Sequence, residues 1–453
     1  MILEDIGGVL MEERSLSRVD LIVEGKAYVE GRFIECAIGI DEGIIASITK
    51  PSIAPRAEHK VIAKGNELIV PGMVDMHVHM RGLEESYKED WLTGTMSALR
   101  GGVTFICDMP NNKPFINSIS RLKMKLDEAR ANALVDYGFY LGFPEDLNEL
   151  RQVKGLGVYG VKLYPDDYRS ARLYKLLRVC AEEGLLVVFH AEDPDIVDSA
   201  MRLHKVRKVE KHHELRPEAA EHEAVRKLLL ALSEVQGVRA HFTHLSLVES
   251  IRQVIYGKMQ GLSVTCDTCP HYMLLDASLL TKLKGIAKVN PPLRPHSYVR
   301  EVFNSVKGMI VDAISTDHAP HLLEEKLRSS YDEIPPGFPG LEVCLPLLMT
   351  LIDKGDLPLQ CIDLYSKGPA RILGLGKGSI SIGFDGDLVI VRKEKWTIRG
   401  NELASKAKFT PFEGWELKWK VVKVLIRGVL ALDEGEVKVG KGYGRLIKPL
   451  DRA

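Results

Sequence analysis

Eight short apolar, β-branched runs recur through the middle of the 453-residue chain: IVPGMVDMHVH (69–79), VTFICDMP (103–110), VDYGFYLG (135–142), GVKLY (160–164), LLVVFHAE (185–192), VRAHFTHLS (238–246), LSVTCDTCPHYM (262–273) and MIVDAISTDHAP (309–320). Continuous apolar character over such a length suits a strand covered on both faces, the environment of a parallel sheet. Between most of the runs lie segments with helical spacing, among them SISRLKMKLDEARAN, SARLYKLLRVCAEEG and EAAEHEAVRKLLLALSEV. Strand and helix alternating eight times predict an α/β chain with a closed (β/α)8 barrel of the TIM type, rather than an open doubly wound sheet.

The two ends read differently. Asp20 to Ile48 alternates and turns like a small β unit, and the same texture returns after Gly378 in SISIGFDGDLVIVRK and WKVVKVLIRGVLALDEGEV. Chain ends often lie close together, so both are expected to build one small β-rich side domain. Residues 1–68 then form its N-terminal part, 69–377 the barrel and 378–453 its C-terminal part. Residues 1–18 read as an arm ahead of the first strand, and the basic stretch RLHKVRKVEK (202–211) as a solvated helix face.

Composition removes several function classes. Lys plus Arg is 61 against 62 for Asp plus Glu, a net charge of -1 that lacks the basic field of a nucleic-acid binder. Apolar residues at 45% and charged residues at 27% fit a soluble globular chain. The longest apolar stretch, Val343 to Ile352, contains a proline and falls short of the ~20 residues of a membrane span, so no membrane partner is expected. The N-terminus has carboxylates and no basic segment of a secretion signal, and the seven cysteines are odd in number and scattered. Both features predict a cytoplasmic protein. Cys266 and Cys269 form one CxxC, read as two buried small residues rather than a redox or zinc pair.

In a barrel, functional groups gather where the strands end. His77 and His79 are two apart on one strand and share a face, with Asp75 in the same phase. His190 ends the fifth run, His244 the sixth and Asp317 the eighth. Imidazoles and a carboxylate converging from separate strands suit a cation such as Zn2+ and water activation at neutral pH. A lone buried histidine is more often hydrogen-bonded to backbone, and fourteen histidines invite coincidence. The reading rests on the His-x-His pair joined by three more strand-end ligands. His59, His204, His212, His213, His222 and His296 fall in loops or helices and read as surface residues, while His241 is out of phase with His244 and packs elsewhere.

DMHVHMRG resembles the metal-binding opening of the amidohydrolase superfamily, in the DxHxHxR form used by cyclic-amide hydrolases. Within that branch, ISTDHAPHLLEEK followed by GFPGLEVCLPLL, together with DMPNNKP, KVNPPLR and FTPFEGW, is similar to the dihydroorotases over about residues 20–445. The resemblance implies reversible hydrolysis of L-dihydroorotate to N-carbamoyl-L-aspartate, in de novo pyrimidine biosynthesis, by a metal-bound hydroxide. It further implies two Zn2+ per subunit, the more buried one on His77 and His79 and the outer one on His190 and His244, with Asp317 as ligand and proton shuttle. Arg81 would pair with the substrate carboxylate, with Asn111 and His321 beside it and Asn290 at the ring's amide edge. Gly337 and Gly340 would shape a loop whose backbone faces the pocket.

On the fourth strand the relatives differ, some using a lysine carboxylated by CO2 to bridge both metals and others an aspartate a few residues later. GVKLYPDD offers Lys162, Asp166 and Asp167. Lys162 is preferred, because it lies within the apolar run whereas both aspartates follow Pro165 into the loop. Gly82 and Leu83 stand where the family often has Glu-Pro, so the loop after the first strand is expected to differ in shape. The rival readings are another cyclic-amide hydrolase, a hydantoinase or allantoinase, and a non-catalytic scaffold, which is expected to lack the ligands that are all filled here. A homo-oligomer and association with aspartate transcarbamoylase are raised by the resemblance and left undecided by the residues.

Overall fold

The computed structural model describes residues 18–449, together with the backbone of strands Leu3–Ile6 and Val9–Glu12. Eight parallel strands lie side by side in chain order: β1 (Met73–Val78), β2 (Val103–Asp108), β3 (Asp136–Leu141), β4 (Val158–Leu163), β5 (Leu186–Phe189), β6 (Arg239–Phe242), β7 (Val264–Thr268) and β8 (Ala313–Ile314). Every residue of β1 to β5 is buried, which is why these segments read as unbroken apolar runs instead of alternating ones. Amphipathic helices cover the outside, with defined starts: the Asp90 carboxylate accepts from Thr93 N ahead of Trp91–Arg100, and Ser118 Oγ accepts from Arg121 N ahead of Ile119–Asn132.

The eighth run yields only a two-residue strand. Beyond it Asp317 takes a left-handed φ of 47°, which ends extended geometry, and closure against β1 passes to single contacts. Val78 bridges His318, His79 N donates to His318 O at 2.8 Å, and Thr316 N donates to the Asp75 carboxylate at 3.2 Å.

A second, mostly antiparallel sheet of nine strands unites the two chain ends. Its N-terminal part includes Arg18–Val29 and Arg32–Asp41, and its C-terminal part Leu388–Thr397 and Glu416–Ile426. The seam is Glu67–Pro71, which pairs with Leu388–Thr397, so the run 69–79 is two strands in two sheets rather than one. They part at Gly72, where a Cβ would lie 2.3 Å from Thr104 Oγ1 and 2.9 Å from Asp387 Cβ; only glycine lets the chain cross there. Beneath this crossing Lys377 Nζ sits 2.8, 2.6 and 2.9 Å from carboxylates of Asp136, Asp385 and Asp387, and Arg427 also pairs with Asp136. Three carboxylates come together as they would around a cation, and the ammonium supplies that charge. Removing one partner from such a buried network costs about 3–5 kcal/mol.

Two local expectations change. Of the arm read over residues 1–18, Leu3–Ile6 and Val9–Glu12 pair as an antiparallel hairpin and Arg18 already opens a sheet strand; the remainder lies outside the described residues. The basic stretch 202–211 is solvated but not a helix face: the helix Pro194–Leu203 ends early in it, and a 3-10 turn Val209–Lys211 closes it. Leu203 is 81% and Val206 65% exposed, so continuing the helix past Leu203 gains no tertiary support, and Val209 alone of the apolar residues here packs into the core. Cys266 and Cys269 are free and buried, as are the other five cysteines. No helix among the described residues is long and apolar enough to cross a membrane.

Candidate metal centre

At the end of β1 the strand's two-residue period sends His77 and His79 into the barrel mouth. Each ring is fixed from behind through Nδ1: that of His77 lies 2.6 Å from Thr243 Oγ1, and that of His79 2.5 Å from Asn111 Oδ1. The Thr243 hydroxyl donates in turn to the Asp267 carboxylate at 3.3 Å, which leaves its oxygen to accept from His77. Both Nε2 atoms are thereby turned forward, to 3.3 and 3.0 Å from Asp317 Oδ1. One donor atom from each of these three residues falls within 4.8 Å of the others.

β5 and β6 add a second pair. His190 Nδ1 and His244 Nε2 face each other at 3.2 Å, and the His244 ring centroid is 4.9 Å from that of His77, so four imidazoles run contiguously across the mouth. Burial, then the neighbouring Lys162 charge, holds His77 well below its ordinary pKa; burial, then His190, does the same to His244. Neutral imidazoles keep a lone pair for a cation.

Lys162, the penultimate residue of β4, lies in the same space. It is fully buried, its Nζ has no hydrogen-bond partner among the described residues, and burial pushes its pKa down to about 7. The two aspartates behind it point away from the cavity. Asp166 is exposed and pairs with Arg169 at 2.9 Å, and Asp167 accepts from Tyr164 N at 2.8 Å in the turn Pro165–Arg169. An unsatisfied buried amine among neutral imidazoles and a carboxylate is costly for a protein alone, and it matches the nitrogen and oxygen donor set that zinc takes.

These groups line a cavity of about 200 Å³ that also presents Arg81, Asn111, Arg216, Asn290 and Gly337. Wider clefts of about 440 and 670 Å³ border the side sheet, but neither carries a cluster of histidines. Arg81 is 5% exposed; its Nε donates to Pro320 O at 3.2 Å and its Nη2 lies 3.1 Å from His321 Nε2. His321 itself is set behind Arg81, between the guanidinium and Pro336 O, and does not line the cavity. Asn290 Oδ1 is buried without a partner, whereas Asn111 has committed its oxygen to His79. Gly340 is also off the cavity, its N donating to His318 Nδ1 at 3.2 Å.

The loop after β1 has its own shape, with Gly82 at φ 70° and Leu83 at φ 51°. A Cβ on Gly82 would lie 2.4 Å from the Glu128 carboxylate that accepts from Leu83 N. Arg81, His244 and Asp317 all adopt left-handed backbone, with φ of 53°, 45° and 47°. Such strain at three cavity residues persists only where the surroundings enforce it, a pattern of functional sites.

Asp75 shares the phase of the histidines but lies deeper, its carboxylate accepting from His77 N, Thr316 N and Tyr365 OH; burial raises it to about 7. His241 packs below the centre against Asp267 at 2.9 Å. His212 is not a surface residue: it is 1% exposed, with its nitrogens 2.9 Å from Tyr331 OH and 2.9 Å from Val289 O. Sequence reasoning passed over Thr243, Glu192 and Arg216. Thr243 neighbours His244, and Glu192 is two residues from His190 in HAED, so strand-end proximity was a usable signal for both. Arg216 comes from a distant loop and carries none.

Residues 68–431 match the model of the amidohydrolase family. The chain is 33% identical to the dihydroorotase of a Geobacter species, over 92% of this chain and 100% of that protein. It is 35% identical to the dihydroorotase of Methanothermobacter thermautotrophicus, over 89% of this chain and 93% of that one. Among solved structures, the L-hydantoinase of Arthrobacter aurescens aligns over 94% of this chain and 99% of its own, with a TM-score of 0.89 at 24% identity, a likeness of fold. The dihydropyrimidinase of Brevibacillus agri aligns over 96% and 99%, with a TM-score of 0.85 at 25% identity.

Proposed function

This chain is a hydrolase that belongs to the amidohydrolase family, and from that premise we propose that it catalyses the reversible hydrolysis of L-dihydroorotate to N-carbamoyl-L-aspartate, as a cytoplasmic enzyme of de novo pyrimidine biosynthesis. The observation that carries the choice of substrate is Arg81, a guanidinium 5% exposed and lining the cavity beside the candidate ligands. A buried cation is costly unless paired, and a ring bearing a carboxylate supplies the partner that hydantoin or allantoin lacks.

His77 and His79 would hold one zinc ion and His190 and His244 a second, with Asp317 beside the first pair. Lys162, whose buried Nζ faces the same space, would serve as the fourth-strand ligand once its neutral amine adds CO2 and loses a proton to become a carbamate. When bound, the zinc ions supply Lewis acidity at the ring carbonyl and lower the pKa of water. The Asp317 carboxylate accepts the proton that the attacking water gives up and returns it to the departing amide nitrogen. Arg81 orients the ring through its carboxylate, the unpartnered Asn290 Oδ1 accepts a ring N–H, and the Asn111 amide N–H donates from the side of His79. His321 braces Arg81 from behind, its Nε2 lying 3.1 Å from both Arg81 Nη2 and Pro336 O.

The test is a parallel assay of L-dihydroorotate, dihydrouracil, hydantoin and allantoin with the purified protein. Turnover highest on dihydroorotate is expected; preference for a neutral ring would overturn the substrate assignment while leaving the hydrolase in place.

A further inference from the structure

We infer that Glu192 and Arg216 form a charged positioning pair that fixes His190 as a metal ligand through Nδ1. The inference rests on the metal-site part of the reading above, not on the substrate. Glu192 is fully buried directly behind His190, and among the described residues two side chains engage its oxygens. Arg216 Nε donates to Oε1 at 3.0 Å and Oε2 at 3.1 Å, and its Nη2 donates to Oε2 at 2.6 Å. His190 Nε2 lies 2.6 Å from the same Oε2.

The donor inventory then decides the imidazole tautomer. An ionised carboxylate only accepts and a guanidinium only donates, so His190 Nε2 must carry the proton that reaches Glu192. That leaves the lone pair on Nδ1, the nitrogen 3.2 Å from His244 Nε2 in the cavity. Arg216 makes the arrangement tenable, because an unpaired carboxylate is not tolerated at this depth. The arginine is anchored by its own backbone, Arg216 O accepting from Arg294 Nη1 at 2.6 Å, and Pro217 follows to lead into the helix Glu218–Ser233. The other face of His190 is held as well, its carbonyl accepting from Tyr168 OH. Carboxylates that orient ligand histidines in this way typically change metal affinity by about 10- to 100-fold when removed.

The zinc-loaded full chain is titrated with a chelator and bound zinc is counted, for the wild type, Glu192→Gln, Arg216→Met and Arg216→Lys. The wild type is expected to release its two ions at similar chelator concentrations. Glu192→Gln and Arg216→Met should lose one ion about 10- to 100-fold more readily while keeping the other, and Arg216→Lys should recover part of the difference. Melting temperatures of the metal-free forms show whether a variant folds; Glu192→Gln preserves shape and serves if Arg216→Met does not. Retention of both ions with wild-type affinity in both variants overturns the inference, and so does equal loss of both ions. A wild type that binds two ions yet ignores dihydroorotate leaves it standing, whereas a wild type that binds no zinc overturns it together with the metal site.

Discussion

Arg81→Met removes the cavity's buried guanidinium while keeping an unbranched apolar stem of similar length. In the wild type one edge of the fork is already committed, through Nε to Pro320 O and Nη2 beside His321, and the side chain lines the cavity. A hydrogen bond to a charged group contributes about 1.5–3 kcal/mol, so two to a substrate carboxylate amount to at least about 3 kcal/mol. At about 1.36 kcal/mol per decade that is roughly 10²-fold in kcat/KM for dihydroorotate. Dihydrouracil, the same ring without the carboxylate, has no such bonds to lose. The assay follows ring opening of both compounds by wild type and variant, and the ratio of their kcat/KM values should fall by roughly that 10². Equal losses on the two rings would refute the reasoning and assign Arg81 to the loop it braces, where its carbonyl accepts from Asn112.

Asp317→Asn should lose ~10²- to 10⁴-fold in kcat, with zinc counted on the same sample to separate proton transfer from metal loss; a near wild-type rate removes the carboxylate from proton transfer. Lys162→Ala should bind less zinc and regain activity with short carboxylic acids, whereas Asp166→Ala and Asp167→Ala should resemble wild type; the reverse pattern would move the ligand to an aspartate. His212, pushed down to about 3 by burial, binds a proton only in the unfolded chain as pH falls below its ordinary 6.5, so stability declines between pH 6.5 and 3. His212→Gln should cost about 1 kcal/mol at pH 7 through weakened hydrogen bonds yet show a shallower decline, read from denaturation midpoints at pH 7 and 4.5. An unchanged slope would place the pH sensitivity elsewhere.

The barrel could be read from sequence because strands covered on both faces must be apolar throughout, and the ligand histidines because strand ends in a barrel converge. What could not be read depends on partners distant in the chain. Pro71 and Gly72 sit inside an unbroken apolar run, and nothing local says that the residues before them pair with Leu388–Thr397. The left-handed backbone of Asp317, beyond the two-residue β8, has no glycine to announce it. His212 lies among charged neighbours and looks like a surface residue until Tyr331 and Val289 close over it. Arg216 reaches Glu192 from outside any strand, so no period marks it. The turn that carries Asp166 and Asp167 away from the cavity follows from Pro165, and there local chemistry was enough.

The most direct test of a metal-dependent hydrolase for an anionic ring is dihydroorotate turnover by one protein sample as purified, after chelator treatment, and after zinc is returned. Turnover should vanish with the metal and come back with zinc. Undiminished turnover in the fully metal-free protein, or none after zinc loading, would contradict the account.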